Sequence, residues 1–244
     1  MISIVLCTMR PAFKENIYNN FFRQSFEDKE MIIVLNNNEL CINEWENETK
    51  EYDNIHVYEI PEETTLGECL NFAISKSSYD IIAKFDDDDY YSSQYLTEAY
   101  DALVENDVDI VGKNTSYIYF DEYQKLMVFR PGNENTLKKT LKGGTLVFKK
   151  KVWQKIKFQN RAVSSDSYFL KDANKNGYKI YSTSKGNYLC VRRKDVKSHT
   201  QKLQSKKYMR KCILVAETTD PIQIVDLNKE VAFQRNSRLR KRKR

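Results

Sequence analysis

The chain has 244 residues, 41% of them hydrophobic and 12% aromatic, and a net charge of +6. That balance suits a folded chain with a sizeable buried core, and no run of about 18 apolar residues is present to cross a bilayer as a helix. Seven Lys and Arg and no acid lie in residues 235–244, which leaves residues 1–234 at −1, so nucleic acid is not an expected partner of the body.

Residues 2–7 form a first apolar strand, broken by Thr8-Met9-Arg10-Pro11. The opening Met1 to Cys7 carries no basic leader and no small-residue cleavage site. The five cysteines, Cys7, Cys41, Cys69, Cys190 and Cys212, are scattered and form no Cys-x-x-Cys pair. Both features lead to the expectation of a cytoplasmic protein with unpaired thiols.

Ile17, Phe21, Phe22 and Phe26 then carry helical spacing. Met31 to Leu35 reads as a second buried strand, stopped by the turn-forming run Asn36-Asn37-Asn38. A third strand is expected over residues 55–60, ended by Pro61. The spacing of Leu66, Leu70, Ala73 and Ile74 predicts a helix over residues 65–75. Gly67 at its start would let a ligand approach the backbone closely, and it serves equally as an ordinary helix-entry glycine.

Ile81, Ile82, Ala83 and Phe85 form a short apolar run that runs straight into Asp86-Asp87-Asp88-Asp89. Four adjacent carboxylates repel one another unless cations or hydrogen-bond donors offset them. In open α/β sheets ligands bind at the carboxyl ends of strands. Carboxylate oxygens there suit Mg²⁺ or Mn²⁺ held together with substrate phosphates. The competing reading is a solvated acidic turn leading into a helix that begins near Ser93.

Strand and helix alternate through residue 112, which predicts βαβ units and a mostly parallel sheet with helices on both faces. The second half reads differently. A hairpin is expected from residues 117–120 and 126–129 around Asp121-Glu122, and another from residues 178–181 and 188–191 around Lys185-Gly186-Asn187. No internal repeat or Pro/Gly-rich linker divides the chain. The expected organisation is therefore one domain over 1–234, with a nucleotide-binding half (1–112), an acceptor half (113–200) and a C-terminal helical segment (201–234), followed by the basic tail 235–244.

With these residues in order, the chain resembles the family 2 glycosyltransferases of GT-A fold over roughly residues 1–200. The resemblance is carried by Ile4 to Arg10, by Leu66-Gly67 with Asn71-Phe72-Ala73, and by Phe85 with the four aspartates. Gly143-Gly144-Thr145-Leu146-Val147-Phe148 and Ser164-Ser165-Asp166-Ser167 extend it. It implies a metal-dependent, inverting transfer of a sugar from a nucleotide diphosphate sugar, a UDP-sugar first, to a hydroxyl of a glycan or lipid-linked acceptor of the cell envelope. It further implies Asp88 as the ligand of Mn²⁺ or Mg²⁺, joined by His199, and Asp166 as catalytic base. Thr8, Arg10, Asn36, Asn38, Gly67, Asn71, Asp86, Asp87, Arg192 and Arg193 would contact the donor. The acceptor pocket would draw on residues 114–142.

This chain departs from the family at Asn36-Asn37-Asn38, where an acidic strand end is usual, and at Ser165, which precedes a single acid. The first change leaves the nucleotide base open. The second leaves Asp166 an alternative role as N-cap of a helix from Ser167 to Lys175. A sugar nucleotidyltransferase and an inactive carbohydrate-binding relative are the rival readings. The first usually carries a Gly-rich phosphate loop, and Thr8-Met9-Arg10-Pro11 has no glycine. Seven positive charges in 235–244 would support reversible contact with an anionic membrane face, or would only solubilise the chain.

Overall fold

A computed structural model describes residues 1–195 and 205–226. His199 and the basic tail therefore lie outside the described residues. In chain order the first half runs β1 (Ile2–Thr8), α1 (Lys14–Phe22), β2 (Lys29–Leu35), α2 (Ile42–Thr49), β3 (Ile55–Glu59), α3 (Leu66–Lys76), β4 (Ile81–Lys84), β5 (Tyr90–Tyr91) and α4 (Tyr95–Glu105). The second half runs β6 (Ile110–Gly112), β7 (Ser116–Phe120), β8 (Lys125–Phe129), β9 (Thr136–Leu137), β10 (Val147–Lys149), α5 (Lys150–Lys155), α6 (Ser165–Lys175), β11 (Ile180–Ser182), β12 (Tyr188–Arg192), α7 (Ser205–Met209) and β13 (Cys212–Glu217).

The larger sheet has the order β3-β2-β1-β4-β10-β6-β11-β9. Its first four strands are parallel, β10 is antiparallel to both β4 and β6, and β11 returns parallel to β6. The sheet is thus mixed. Side chains alternate across it as the period of two requires. Ile4 and Leu6 of β1 face a core with Phe21, Trp45, Leu96 and Leu103 from α1, α2 and α4. Val5 faces the opposite core, with Leu70, Ile74, Phe169 and Leu170 from α3 and α6. Burying Leu-, Ile- or Phe-sized side chains contributes roughly 1.5–3 kcal/mol each, so the two faces together hold β1 and β4 at the sheet centre.

The smaller sheet has the order β13-β8-β7-β12-β5. The hairpin expected around Asp121-Glu122 forms, with β7 antiparallel to β8 and Gln124 in the left-handed region at the turn (φ 48°). The second expected hairpin does not. β11 pairs with β6 in the larger sheet, and β12 pairs with β7 and β5 in the smaller one. Each strand pairs on both of its edges in its own sheet, β11 between β6 and β9 and β12 between β7 and β5, and residues 183–187 carry the chain between sheets.

The expectation of a helical segment over 201–234 is also corrected. The apolar run Cys212–Glu217 forms β13 on the open edge of β8, between α7 and a helical turn over 221–226. No helix among the described residues is long and apolar enough to cross a membrane.

Candidate active site

The four aspartates are the passage from one sheet to the other: β4 ends at Lys84 and β5 begins at Tyr90. Phe85 and Tyr91, at the two ends of this turn, stack face to face with centroids 3.7 Å apart. Such a pair adds about 0.5–1.5 kcal/mol beyond its buried area. The turn's carbonyls are capped from α1, where Asn16 Nδ2 donates to the carbonyls of Asp87 (2.7 Å) and Asp89 (3.0 Å) and Asn20 Nδ2 donates to Asp89 (2.9 Å). Backbone polar groups of a buried turn need such partners.

Each carboxylate is partnered, Asp87 and Asp88 sharing Arg10. Asp86 Oδ1 accepts from Lys84 Nζ at 2.6 Å. Asp87 accepts from Thr8 Oγ1 at 2.6 Å, from Arg10 Nε at 3.1 Å and from Arg10 NH2. Asp88 Oδ2 accepts from Arg10 NH1 at 3.2 Å and from Arg193 NH1 at 3.3 Å. Asp89 is buried and accepts from the Tyr188 hydroxyl and from Val191 N at 3.1 Å. Burial, with Asp88 and Asp86 nearby, pushes the Asp89 carboxyl up to about 7. Burial also raises Asp87, against the opposing pull of Arg10. The chain itself thus supplies the compensation that four adjacent acids need.

Asp166 comes to the same place from α6. That helix starts at Ser165, preceded by Ser164 in the left-handed region (φ 64°), so Asp166 sits in the first turn and is not the N-cap. Its Oδ1 is buried without a hydrogen bond among the described residues and lies 3.6 Å from Lys84 Nζ. Burial raises its carboxyl above the usual range, while Lys84 opposes the rise.

Between Asp86 and Asp166 runs Gly143-Gly144. A Cβ at Gly143 would lie 2.2 Å from Asp166 Oδ2, and one at Gly144 would lie 2.4 Å from Asp86 Oδ2. Both positions need glycine because the carboxylates occupy the space a side chain would take. The Gly144 carbonyl is fixed by the Tyr91 hydroxyl at 2.5 Å, and the same hydroxyl accepts from Asp86 N at 2.7 Å.

The donor-side residues expected from the sequence divide. Thr8, Arg10, Asp86, Asp87, Asp88 and Arg193 converge on the strand end. Arg10 and Arg193 lie over the Phe13 ring, 4.5 and 4.4 Å from its centroid. Asn36 and Asn38 border the same end of the sheet but bind its loops: Asn36 Nδ2 donates to Pro61 O at 2.7 Å, and Asn38 Oδ1 accepts from Glu62 N at 3.3 Å.

Three expected donor contacts have other neighbours. A Cβ at Gly67 would lie 1.9 Å from the Gln159 carbonyl oxygen, so the close approach there is made by the chain's own loop. Asn71 Nδ2 donates to Phe158 O at 2.8 Å, and its Oδ1 accepts from Trp153 Nε1 at 2.9 Å and Phe158 N at 3.0 Å, which ties α3 to the segment after α5. Arg192, the last residue of β12, is buried with its guanidinium 5.4 Å from the Tyr208 centroid, whereas Arg193, just beyond the strand, lies over Phe13.

Sequence reasoning assigned no role to Lys84, Tyr91 or Tyr188, and named Gly143-Gly144 as a motif without a function. Lys84 carried a signal, since a Lys inside an apolar strand is almost never buried unless paired. As to a cation, no cluster of three His, Cys, Asp or Glu side chains able to hold one occurs among the described residues.

Residues 4–160 match the family described as Glycosyl transferase family 2, which is well over half of the chain. The O-antigen biosynthesis glycosyltransferase WbnJ of Escherichia coli is 28% identical over 181 residues, covering 70% of each protein. Among solved structures, S. aureus TarS 1-349 in complex with UDP-GlcNAc superposes with a TM-score of 0.61 at 16% identity, over 79% of this chain and 59% of that one. The mannosyltransferase PcManGT from Pyrobaculum calidifontis, in complex with GDP-Man and Mn²⁺, gives 0.60 at 13% identity, over 86% and 59%. The chain thus spans about 59% of the length of either solved protein, and at these identities the likeness is one of fold. The chain belongs to glycosyl transferase family 2 and is a glycosyltransferase with the α/β fold of the GT-A enzymes.

Proposed function

We propose that the chain transfers a sugar from a nucleotide diphosphate sugar, a UDP-sugar first, to a hydroxyl of a cell-envelope glycan or lipid-linked acceptor, with inversion and with a divalent cation. The observation that carries this reading is the meeting of Asp86 and Asp166 across Gly143-Gly144, at the end of β4. One acid comes from the half that would bind the donor, residues 1–112, and the other from the half that would bind the acceptor, residues 113–200. The donor is supported by the UDP-GlcNAc and GDP-Man complexes of the structural neighbours, and the acceptor class by the O-antigen relative.

Arg10 and Arg193 are the groups suited to the diphosphate, because guanidiniums that pair with carboxylate oxygens, as Arg10 does with Asp87 and Asp88 and Arg193 with Asp88, meet phosphate oxygens in the same geometry. Asp86 and Asp87 would contact the nucleotide from the strand end. Asp166 would take the acceptor's proton. A carboxylate raised by burial, yet ionised beside a lysine, is a stronger base than an exposed one and still accepts a proton near neutral pH.

The donor set fits a divalent cation on one condition. Asp88 is the carboxylate that would hold it, and its Oδ2 is shared with two guanidiniums, so most of the ion's oxygen ligands would come from the diphosphate, the usual arrangement for Mg²⁺. An ion held there would offset the charge of the departing diphosphate. Thermal shift with UDP, GDP and CDP, each with and without Mn²⁺, tests the donor class. UDP with Mn²⁺ should raise the midpoint most, and no shift with any nucleotide would overturn the reading.

A further inference from the structure

We propose that Lys84 is a positioning residue: its buried ammonium holds Asp166 on the acceptor side and Asp86 on the donor side in one fixed relation. This rests on the reading of Asp166 as base and goes beyond it, since Lys84 itself touches no substrate.

Lys84 is the last residue of β4, where its backbone is pinned from both sides. Its N–H donates to Leu146 O at 2.8 Å, and its Cα is in register with Val5 of β1. The side chain is 4% exposed. At its end Nζ lies 2.6 Å from Asp86 Oδ1, 3.5 Å from the Gly143 carbonyl oxygen and 3.6 Å from Asp166 Oδ1. One cation therefore spans two acids that are 80 positions apart in the chain. The paired backbone of β4 thus fixes the ammonium that both acids meet.

An ammonium this deep is costly unless ionised partners offset it. The groups around it are Asp166 from α6, Asp86 from the strand end and Cys7 from β1, and the two carboxylates hold Lys84 firmly protonated. The converse follows for Asp166. Its Oδ1 has no hydrogen bond among the described residues, and the titratable groups acting on it are Lys84, which favours the anion, and Asp86, which opposes it. Without Lys84 both effects that remain, burial and Asp86, favour the protonated acid.

The test is a carboxyl-carbon NMR titration of Asp166, its resonance assigned by its loss in Asp166→Asn. In Lys84→Met the Asp166 midpoint should rise by roughly one to three pH units, the range typical of a lost neighbouring charge. Lys84→Arg, which keeps the charge, should bring it back to within about half a unit of the wild type. Affinity for UDP with Mn²⁺ should fall in Lys84→Met and recover in Lys84→Arg, because Asp86 on the donor side loses the same partner. If Lys84→Met does not accumulate folded, Lys84→Gln keeps a hydrogen-bond donor without the charge, and carries the same expectation. An Asp166 midpoint unmoved in either folded variant overturns the proposal. The titration needs no turnover, so its outcome is independent of whether Asp166→Asn loses activity, which tests the base reading by itself.

Discussion

Arg193 meets Asp88 twice, with NH1 on the carboxylate at 3.3 Å and NH2 on the backbone carbonyl at 2.9 Å. This links β12 of the smaller sheet to the acidic turn, 105 residues earlier in the chain. Arg193→Ala removes both bonds and one of the two positive charges over Phe13. The expected outcome is a loss of about tenfold or more in affinity for UDP with Mn²⁺, from charge-assisted bonds worth roughly 1.5–3 kcal/mol, with the melting midpoint nearly unchanged. Calorimetric titration checks this, and wild-type affinity would remove Arg193 from the donor site.

Asp166→Asn keeps the size of the side chain and removes its basicity. Turnover should fall by roughly 10²–10⁴, the usual contribution of general-base catalysis, while UDP affinity stays within about threefold. The wild-type rate should also decline as pH falls through the Asp166 carboxyl, which burial holds above the usual carboxylate range. The sign is that of a base: activity is present above that pKa and lost below it. Equal losses in turnover and donor affinity would point to a structural role.

Gly144→Ala places a methyl 2.4 Å from Asp86 Oδ2, an atom at the free end of a side chain. The acid can swing away, so the fold should survive while activity drops at least about tenfold, as displacements near 1 Å at a reacting centre do. Circular dichroism and a turnover assay together check it. Gly67→Ala should behave in the opposite way. Its methyl would meet the Gln159 backbone at 1.9 Å, and backbone cannot swing aside, so a loss of about 1–3 kcal/mol in stability without any ligand is expected from overpacking. Denaturant titration separates the two glycines.

Much of this was legible in the chain. The apolar run into four aspartates marked both a buried strand and the candidate site, because strand period and acid clustering are local features. The alternation of elements through residue 112 marked β1 to β4 with α1, α3 and α4 in chain order, but neither α2 nor the order of the strands in the sheet. What was not legible was pairing over distance. Residues 178–191 look like a hairpin locally, and only the competition between two sheets separates β11 from β12. Gly67 suggested a donor contact because a glycine at a helix start lets a ligand approach, and Asn71 did so only through the family resemblance, yet the neighbour that fills their space is residues 158–161. Lys84 escaped notice because a strand pattern is read from its apolar members.

The seven positive charges of residues 235–244 give a separate expectation. Near an anionic leaflet each contributes roughly 1 kcal/mol before screening, so cosedimentation with phosphatidylserine vesicles should be salt-sensitive. Deleting 235–244 should abolish it and leave donor hydrolysis unchanged. Association unchanged by the deletion would assign the tail no membrane role.

The central claim is that the end of β4 is the donor and metal site of a glycosyltransferase. It is tested most directly by UDP release from UDP-GlcNAc, with water as acceptor, in Mn²⁺ and in EDTA, for the wild type and for Asp88→Ala. Release that requires Mn²⁺ and falls about a hundredfold or more in a folded Asp88→Ala protein is the predicted result, since removing a metal ligand removes several kcal/mol of charge stabilisation. Release undiminished by EDTA or by the substitution would contradict it.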